Sequence, residues 1–148
     1  MGNINKQMAY SQWATSQWID FIYNTDDSDQ YLRRLISHIV KGERAWLERI
    51  LKSDWNKDLW IAEDKPAILL LFEANRRMLQ QILQKDLTGR MSIQRLNGQS
   101  YNPTLADILQ HIFFHGENHR GQLAYFSARA GLTYPATDYM RYCILQQL

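Results

Sequence analysis

Apolar residues recur along the chain at intervals of three and four in four long stretches, the pattern of amphipathic helices. In the first, from about Lys6 to Asn24, Tyr10, Trp13, Ala14, Trp18, Phe21 and Ile22 share one helical face. The polar run Asn24 to Asp29 interrupts it, and Ser28 or Asp29 is suited to cap a second helix that continues to about Lys52. Leu32, Leu35, Ile36, Ile39, Trp46, Leu47, Ile50 and Leu51 lie on one side of that helix. Gly42 interrupts it at a cost of ~1 kcal/mol relative to alanine. Either it makes room one turn after His38, or it is a tolerated surface glycine.

Asp64 followed by Pro66 marks the start of a third helix to about Lys85, because proline suits a first turn where its missing N–H is not needed. Ile68, Leu71, Phe72, Leu79, Ile82 and Leu83 form its apolar set. Between Thr88 and Pro103 the period changes, and Asn97-Gly98, with Ile93, Leu96 and Tyr101 around it, predicts a tight turn between two short extended pieces. Thr104 and Asp107 have the spacing of a capping box, and a fourth helix should run from Leu105 to about Ala130, ended by Gly131. A short closing helix is expected from Thr137. The fold class is therefore all-α: a four-helix bundle with a hairpin-like excursion before the fourth helix and a short C-terminal helix.

Composition narrows the function classes. With 148 residues, 45% of them hydrophobic, the chain can bury a core as a single domain over 1–148 without disulfide staples. Its one cysteine, Cys143, has no partner in the chain, and the amino end lacks a signal-like charged and apolar pair of regions, so a reducing cytoplasm is the expected location. The longest apolar run, Ala67 to Phe72, is six residues, whereas a membrane span needs ~20. A net charge of +2 gives little steering toward nucleic acid. Arg33, Arg34, Lys41 and Arg44 share their helix with Glu43 and Glu48, a mixture that reads as a solvated face.

His111, His115 and His119 follow one another at four-residue intervals on the fourth helix. Random placement of four histidines over this length would yield about 0.08 pairs four apart, and there are two. Each step of four turns ~40° and rises ~6 Å, so adjacent members can direct their rings to one point. His115 and His119 continue the apolar stripe of Leu105, Ile108, Ile112, Leu123 and Phe126, which should turn their imidazoles inward. A buried imidazole needs a partner, which leaves a hydrogen-bond network or a metal ion. A zincin is disfavoured, since Glu117 is offset two residues, ~200°, from His115. A di-iron carboxylate bundle is disfavoured as well, because no glutamate has a histidine three residues later. The remaining histidine, His38, stands near the edge of the second helix's apolar stripe and can face the interior.

Several segments in order resemble the DinB-like (YfiT-like) family of metalloenzymes. They are Tyr10-x-x-Trp13-Ala14, His38-Ile39-x-x-Gly42-Glu43-x-x-Trp46-Leu47, Leu109-x-His111-Ile112-x-x-His115-x-x-x-His119-Arg120-Gly121-Gln122-Leu123 and Gly131-x-x-x-Pro135-x-x-Asp138-Tyr139. Together they span nearly the whole chain. The resemblance implies a four-helix bundle in which one histidine of the second helix and two of the fourth bind a divalent metal, positions held here by His38, His115 and His119. It also implies a bacterial protein, often a homodimer, and thiol-dependent transferase or isomerase chemistry with small thiols such as bacillithiol or mycothiol.

Three neutral imidazoles on a divalent ion leave a coordination position open, as in catalytic rather than structural zinc. Such a site activates a thiol or water for transfer to, or hydrolysis of, a small electrophile. Zinc or nickel is the first expectation, and manganese, cobalt or iron are also accepted by three-histidine sites. His111 is a candidate hydrogen-bond donor or acid/base beside the ligands, and Arg120 a candidate holder of an anionic group, the bland alternatives being a helix-face hydrogen bond and a surface cation. Gln122 is a third neighbour to place. Cys143 is remote from the motif, so a reacting thiol is expected to come from the substrate. The rival reading is a non-catalytic binding or scaffold protein stabilised by its metal, with Trp55 and Trp60 supplying a dimer or partner surface.

Overall fold

The computed structural model describes residues 3–25, 30–51, 54–95 and 97–148. Ser28, Asp29, Lys52 and Leu96, used above for a cap, a helix end and a turn, lie outside the described residues. Four long helices are present: α1 (Ile4–Asn24), α2 (Gln30–Ile50), α3 (Lys65–Ile82) and α4 (Leu105–Arg129), followed by a short α5 (Tyr139–Leu145). Their starts follow local chemistry. The Ala67 N–H donates to Asp64 Oδ1 at 2.9 Å, with Pro66 in the first turn of α3. Thr104 and Asp107 form the reciprocal capping box of α4. α5 begins at Tyr139 because Asp138 caps it, accepting from the Arg141 N–H. Thr137, expected inside that helix, instead ties the chain to α1: its carbonyl accepts from the Tyr10 hydroxyl at 2.8 Å and its Oγ1 from the Trp18 indole at 3.2 Å.

α2 packs against both α3 and α4, and α1 closes the bundle against α4 and α2. Between α3 and α4 lies the excursion, strands β1 (Ile93–Gln94) and β2 (Ser100–Tyr101), antiparallel with Ile93 opposite Tyr101. Gly98 adopts φ 82° in its turn, and Gly131 φ 72° just beyond α4, both in the left-handed region that disfavours a Cβ. Among the described residues, no helix is long and apolar enough to cross a membrane.

The core is divided along the bundle. At one end Trp18, Ile22, Leu35, Ile36, Ile68 and Leu123 pack together, and at the other Met8, Leu47, Leu79, Ile82, Leu109 and Ile112. Between them lies a polar layer to which every long helix contributes. The Arg120 guanidinium of α4, 4% exposed, donates to Ser11 Oγ and Thr15 Oγ1 of α1 at 3.2 and 2.9 Å and pairs with Glu117. The Gln12 amide of α1 donates to both oxygens of Glu43 on α2, at 2.9 and 3.1 Å. Asn75 of α3 donates to the Val40 carbonyl at 2.9 Å. Burial raises the Glu43 carboxyl above its usual range, opposed by its hydrogen bonds to Gln12 and Asn75 and by the charge of Arg120.

The charged side of α2 differs from the solvated face expected from its composition. Lys41 is buried, pairs with Glu63 at 2.5 Å and donates to the Ile61 carbonyl at 2.7 Å. Ser37 Oγ accepts the Glu63 N–H at 2.9 Å. These bonds lay the segment after α2 back along the helix, so a lysine on that face becomes a tether. At the other end of the bundle, Leu47 is fully buried among Met8, Leu79 and Leu109. Leu47→Ala should lower the unfolding free energy by about 2–5 kcal/mol in urea denaturation, and a loss under about 1 kcal/mol would show that this end of the core collapses to fill the cavity.

Candidate metal centre

α2 and α4 meet at the level of the polar layer, and there three imidazoles converge. The ring nitrogens that His38, His115 and His119 offer lie within 4.8 Å of one another, so the three could hold a metal ion. His38 Nε2 is 3.1 Å from His115 Nε2. The His119 ring stands edge-on to both, with centroids 4.7 Å from His38 and 4.5 Å from His115.

The close approach depends on Gly42. A Cβ at that position would lie 2.9 Å from His115 Cε1, so only a residue without a side chain leaves space for the imidazole. Gly42 is buried. Of the two readings of this glycine, the one that makes room applies, and the room is for a ring on α4 rather than for His38 one turn earlier.

Hydrogen bonds at the far sides of the rings decide which nitrogens face inward. His38 Nδ1 is 3.1 Å from the Leu59 carbonyl. A carbonyl only accepts, so Nδ1 carries the proton and Nε2 of the neutral ring presents a lone pair. His119 Nδ1 lies 2.7 Å from Gln122 Oε1, also an acceptor, with the same consequence for its Nε2. Such outer bonds are how metal-binding histidines are commonly oriented. In the absence of a cation, one His115 N–H can serve only part of this acceptor set. A divalent ion satisfies all three, and two nitrogens ~2.0–2.1 Å from a tetrahedral zinc would be roughly 3.3–3.4 Å apart, close to the spacing seen. The donor set fits such an ion.

The surroundings favour the neutral form of His115 and His38. Burial, then the neighbouring His119, His38 and His111, lowers His115 to about 4. Burial also lowers His38, against the raising effect of its bond to Leu59. Trp60 covers the cluster: its indole stacks on His38 at 3.6 Å and 9°, and meets His119 edge-on at 5.9 Å. This contact stands beside the expectation that Trp60 supplies a dimer or partner surface, since the indole remains exposed on its other side. No spacing rule could place it, because it stands in an irregular segment whose path is set by the bonds to Ser37, His38 and Lys41.

The other candidates separate. Gln122 touches His119 directly. His111 is exposed, 6.0 Å from His115 and 5.2 Å from Trp46 between ring centroids, at the edge of the cluster. Arg120 is turned away into the polar layer between α1 and α4, bonded as described above. Cys143 packs with Tyr10, Ala14 and Tyr142 in a separate cluster.

Two outcomes follow. Gly42→Ala should weaken binding of a divalent metal roughly 10–100-fold, the range for disturbed ligand support, while leaving the helical circular dichroism intact; unchanged affinity would mean the His115 ring shifts freely. In metal-free protein the folded state keeps His115 neutral down to about 4, whereas the unfolded chain takes up the proton near 6.5. The stability this ring confers is thus complete above about 6.5 and lost as pH falls toward 4. Thermal melts across that interval should decline for wild type and decline less steeply for His115→Phe.

Comparison with known proteins agrees with the geometry. No curated protein matches the chain. The sequence pattern described as the DinB family matches residues 1–147, which include His38, His115, His119 and Gly42. A match over almost the full length, on a helical bundle with this cluster between its second and fourth helices, means that the chain belongs to the DinB family.

Proposed function

We propose that His38, His115 and His119 hold one divalent metal, zinc or nickel first and manganese, cobalt or iron as further candidates, and that the loaded site activates a small thiol or water for attack on a small electrophile. The observation that carries this reading is the convergence of three rings, two of them with Nδ1 held by an acceptor so that Nε2 turns inward. The ion would supply a Lewis acid that lowers the pKa of a thiol or water toward neutrality. The protein's own groups do the rest. Leu59 and Gln122 orient two ligands, and Trp60 shields one side from water. His111, exposed beside His115, is suited to pass a proton to solvent. Cys143 belongs to another cluster, so the thiol comes from the substrate. We place the protein in the cytoplasm as a homodimer, a reading supported by its unpaired cysteine and by the exposed apolar side chains Leu70, Phe114 and Tyr125.

One observation favours the rival reading of a metal-stabilised scaffold. The buried carboxyl with a raised pKa, Glu43, bonds Gln12 and Asn75 in the polar layer rather than the histidines. Metal analysis of tag-free protein decides the first step. Wild type should carry about one metal per chain, and His38→Ala and His115→Ala less than about a tenth of that, because two ligands do not retain an ion that three hold. Wild type without metal under metal-replete conditions overturns the reading. Loaded protein should then turn over in a panel of small thiols with electrophiles; metal-linked thermal stabilisation without turnover across the panel supports the scaffold.

A further inference from the structure

Beside the histidine cluster an open groove of about 1180 Å³ runs between the end of α2, the segment after it, the hairpin and the start of α4. That is large enough for a small organic ligand. Its walls combine flat rings with positive charge. The Arg49 guanidinium lies 4.7 Å from the Trp46 ring centre and 4.6 Å from that of Trp55, and Lys57 lies 5.7 Å from Trp55. On the hairpin side Arg95 stands 5.4 Å from Tyr101. Ring faces against a guanidinium leave its N–H edge free to donate in plane, the geometry that recognises carboxylate and phosphate.

The charge is unbalanced. Among the described residues, no carboxylate lies within ion-pair distance of Arg49, Lys57 or Arg95. The acid in the groove wall, Asp107, is engaged in capping α4, where its carboxylate accepts from the Thr104 N–H and hydroxyl at 2.9 and 2.7 Å. Three cations thus face one occupied carboxylate, in a cleft whose walls concentrate the field.

The groove also leads to the histidines. His111 lines it, in edge contact with Trp46 at 5.2 Å on one side and 6.0 Å from His115 on the other. Arg49, Trp46, His111 and His115 therefore form a continuous row from the charged end of the groove to the cluster.

We propose that this groove seats a small organic anion with a flat or apolar body, its carboxylate or phosphate on Arg49, Lys57 and Arg95 and its opposite end directed past His111 toward the three histidines. It rests on the proposed metal reading only in treating the cluster as the reactive end. The chemistry is that of an anion small enough to lie within one groove, because the three cations line a single groove, whereas a long polyanion needs a row of them along a face.

Calorimetric titration of the full chain, with and without metal, tests this using naphthalene-2-carboxylate, 2-naphthyl phosphate and the neutral naphthalene-2-carboxamide. At least one anion should bind saturably and at least about tenfold more tightly than the amide, as expected for charge-assisted bonds; which anion does so assigns the acid group. Lys57→Gln with Arg95→Gln, both exposed positions, should weaken anion binding about fivefold, given the modest effect of single exposed charges. Equal binding of the amide, or no change in the double variant, overturns the proposal. So does a ten-nucleotide single strand of DNA that binds at the groove more tightly than either anion. Anion selectivity that persists in a chain found to bind no metal keeps the groove and refutes the metal reading, and stoichiometric metal without anion selectivity does the reverse.

Discussion

Two imidazole nitrogens, His38 Nε2 and His115 Nε2, face each other at 3.1 Å, and the arrangement around them exists to make that contact sustainable. Helices α2 and α4 reach the required distance because Gly42 has no side chain where the His115 ring must lie. At this level the apolar core gives way to a polar layer, so the bundle already accommodates buried hydrogen-bonding groups there. Arg120 bonds Ser11 and Thr15 of α1, Gln12 bonds Glu43 and Asn75 bonds the Val40 carbonyl, while the histidines occupy the α2–α4 side. Burial favours the neutral form of His38 and His115, and only a neutral ring serves as a ligand.

The segment after α2 is the second determinant. It is irregular, yet Ser37, His38 and Lys41 each bond to its backbone, and Glu63 closes an ion pair with Lys41. The same attachment does two things for the centre. It delivers the Leu59 carbonyl that fixes the His38 proton, and it lays the Trp60 indole over the cluster. Within the same segment, Trp55 and Lys57 form one wall of the cationic groove, so a single pinned strap links the histidine geometry to the surface beside it.

Much of this was legible in local pattern. Helical spacing identified the four long helices, and Asp64, Thr104 and Asp107 marked where two of them begin, because capping depends on residues three apart in sequence. The four-residue spacing of His111, His115 and His119 marked the side of α4 that carries the site. Other features escaped for a common reason. Lys41 on an exposed-looking face, Trp60 in a loop and Arg120 beside His119 all owe their positions to groups 20 or more residues away, such as Ile61 for Lys41 and Thr15 for Arg120. Composition assigns a lysine to solvent, and only a partner brought close by folding makes it a buried tether.

Local pattern along the chain carries the helical class, the helix boundaries set by caps, the family resemblance and the identity of three histidines able to meet. These follow from periodicity and short-range bonding, which act within a few residues along the chain. The tertiary structure decided which nitrogen of His38 and His119 faces inward, that Gly42 makes room for His115, and that Arg120 belongs to the polar layer while His111 stands at the rim. All but the His119 orientation, which Gln122 three residues on sets, depend on the separation and rotation of whole helices, set by how two apolar clusters and a polar layer pack together. No interval along one strand of sequence carries that information.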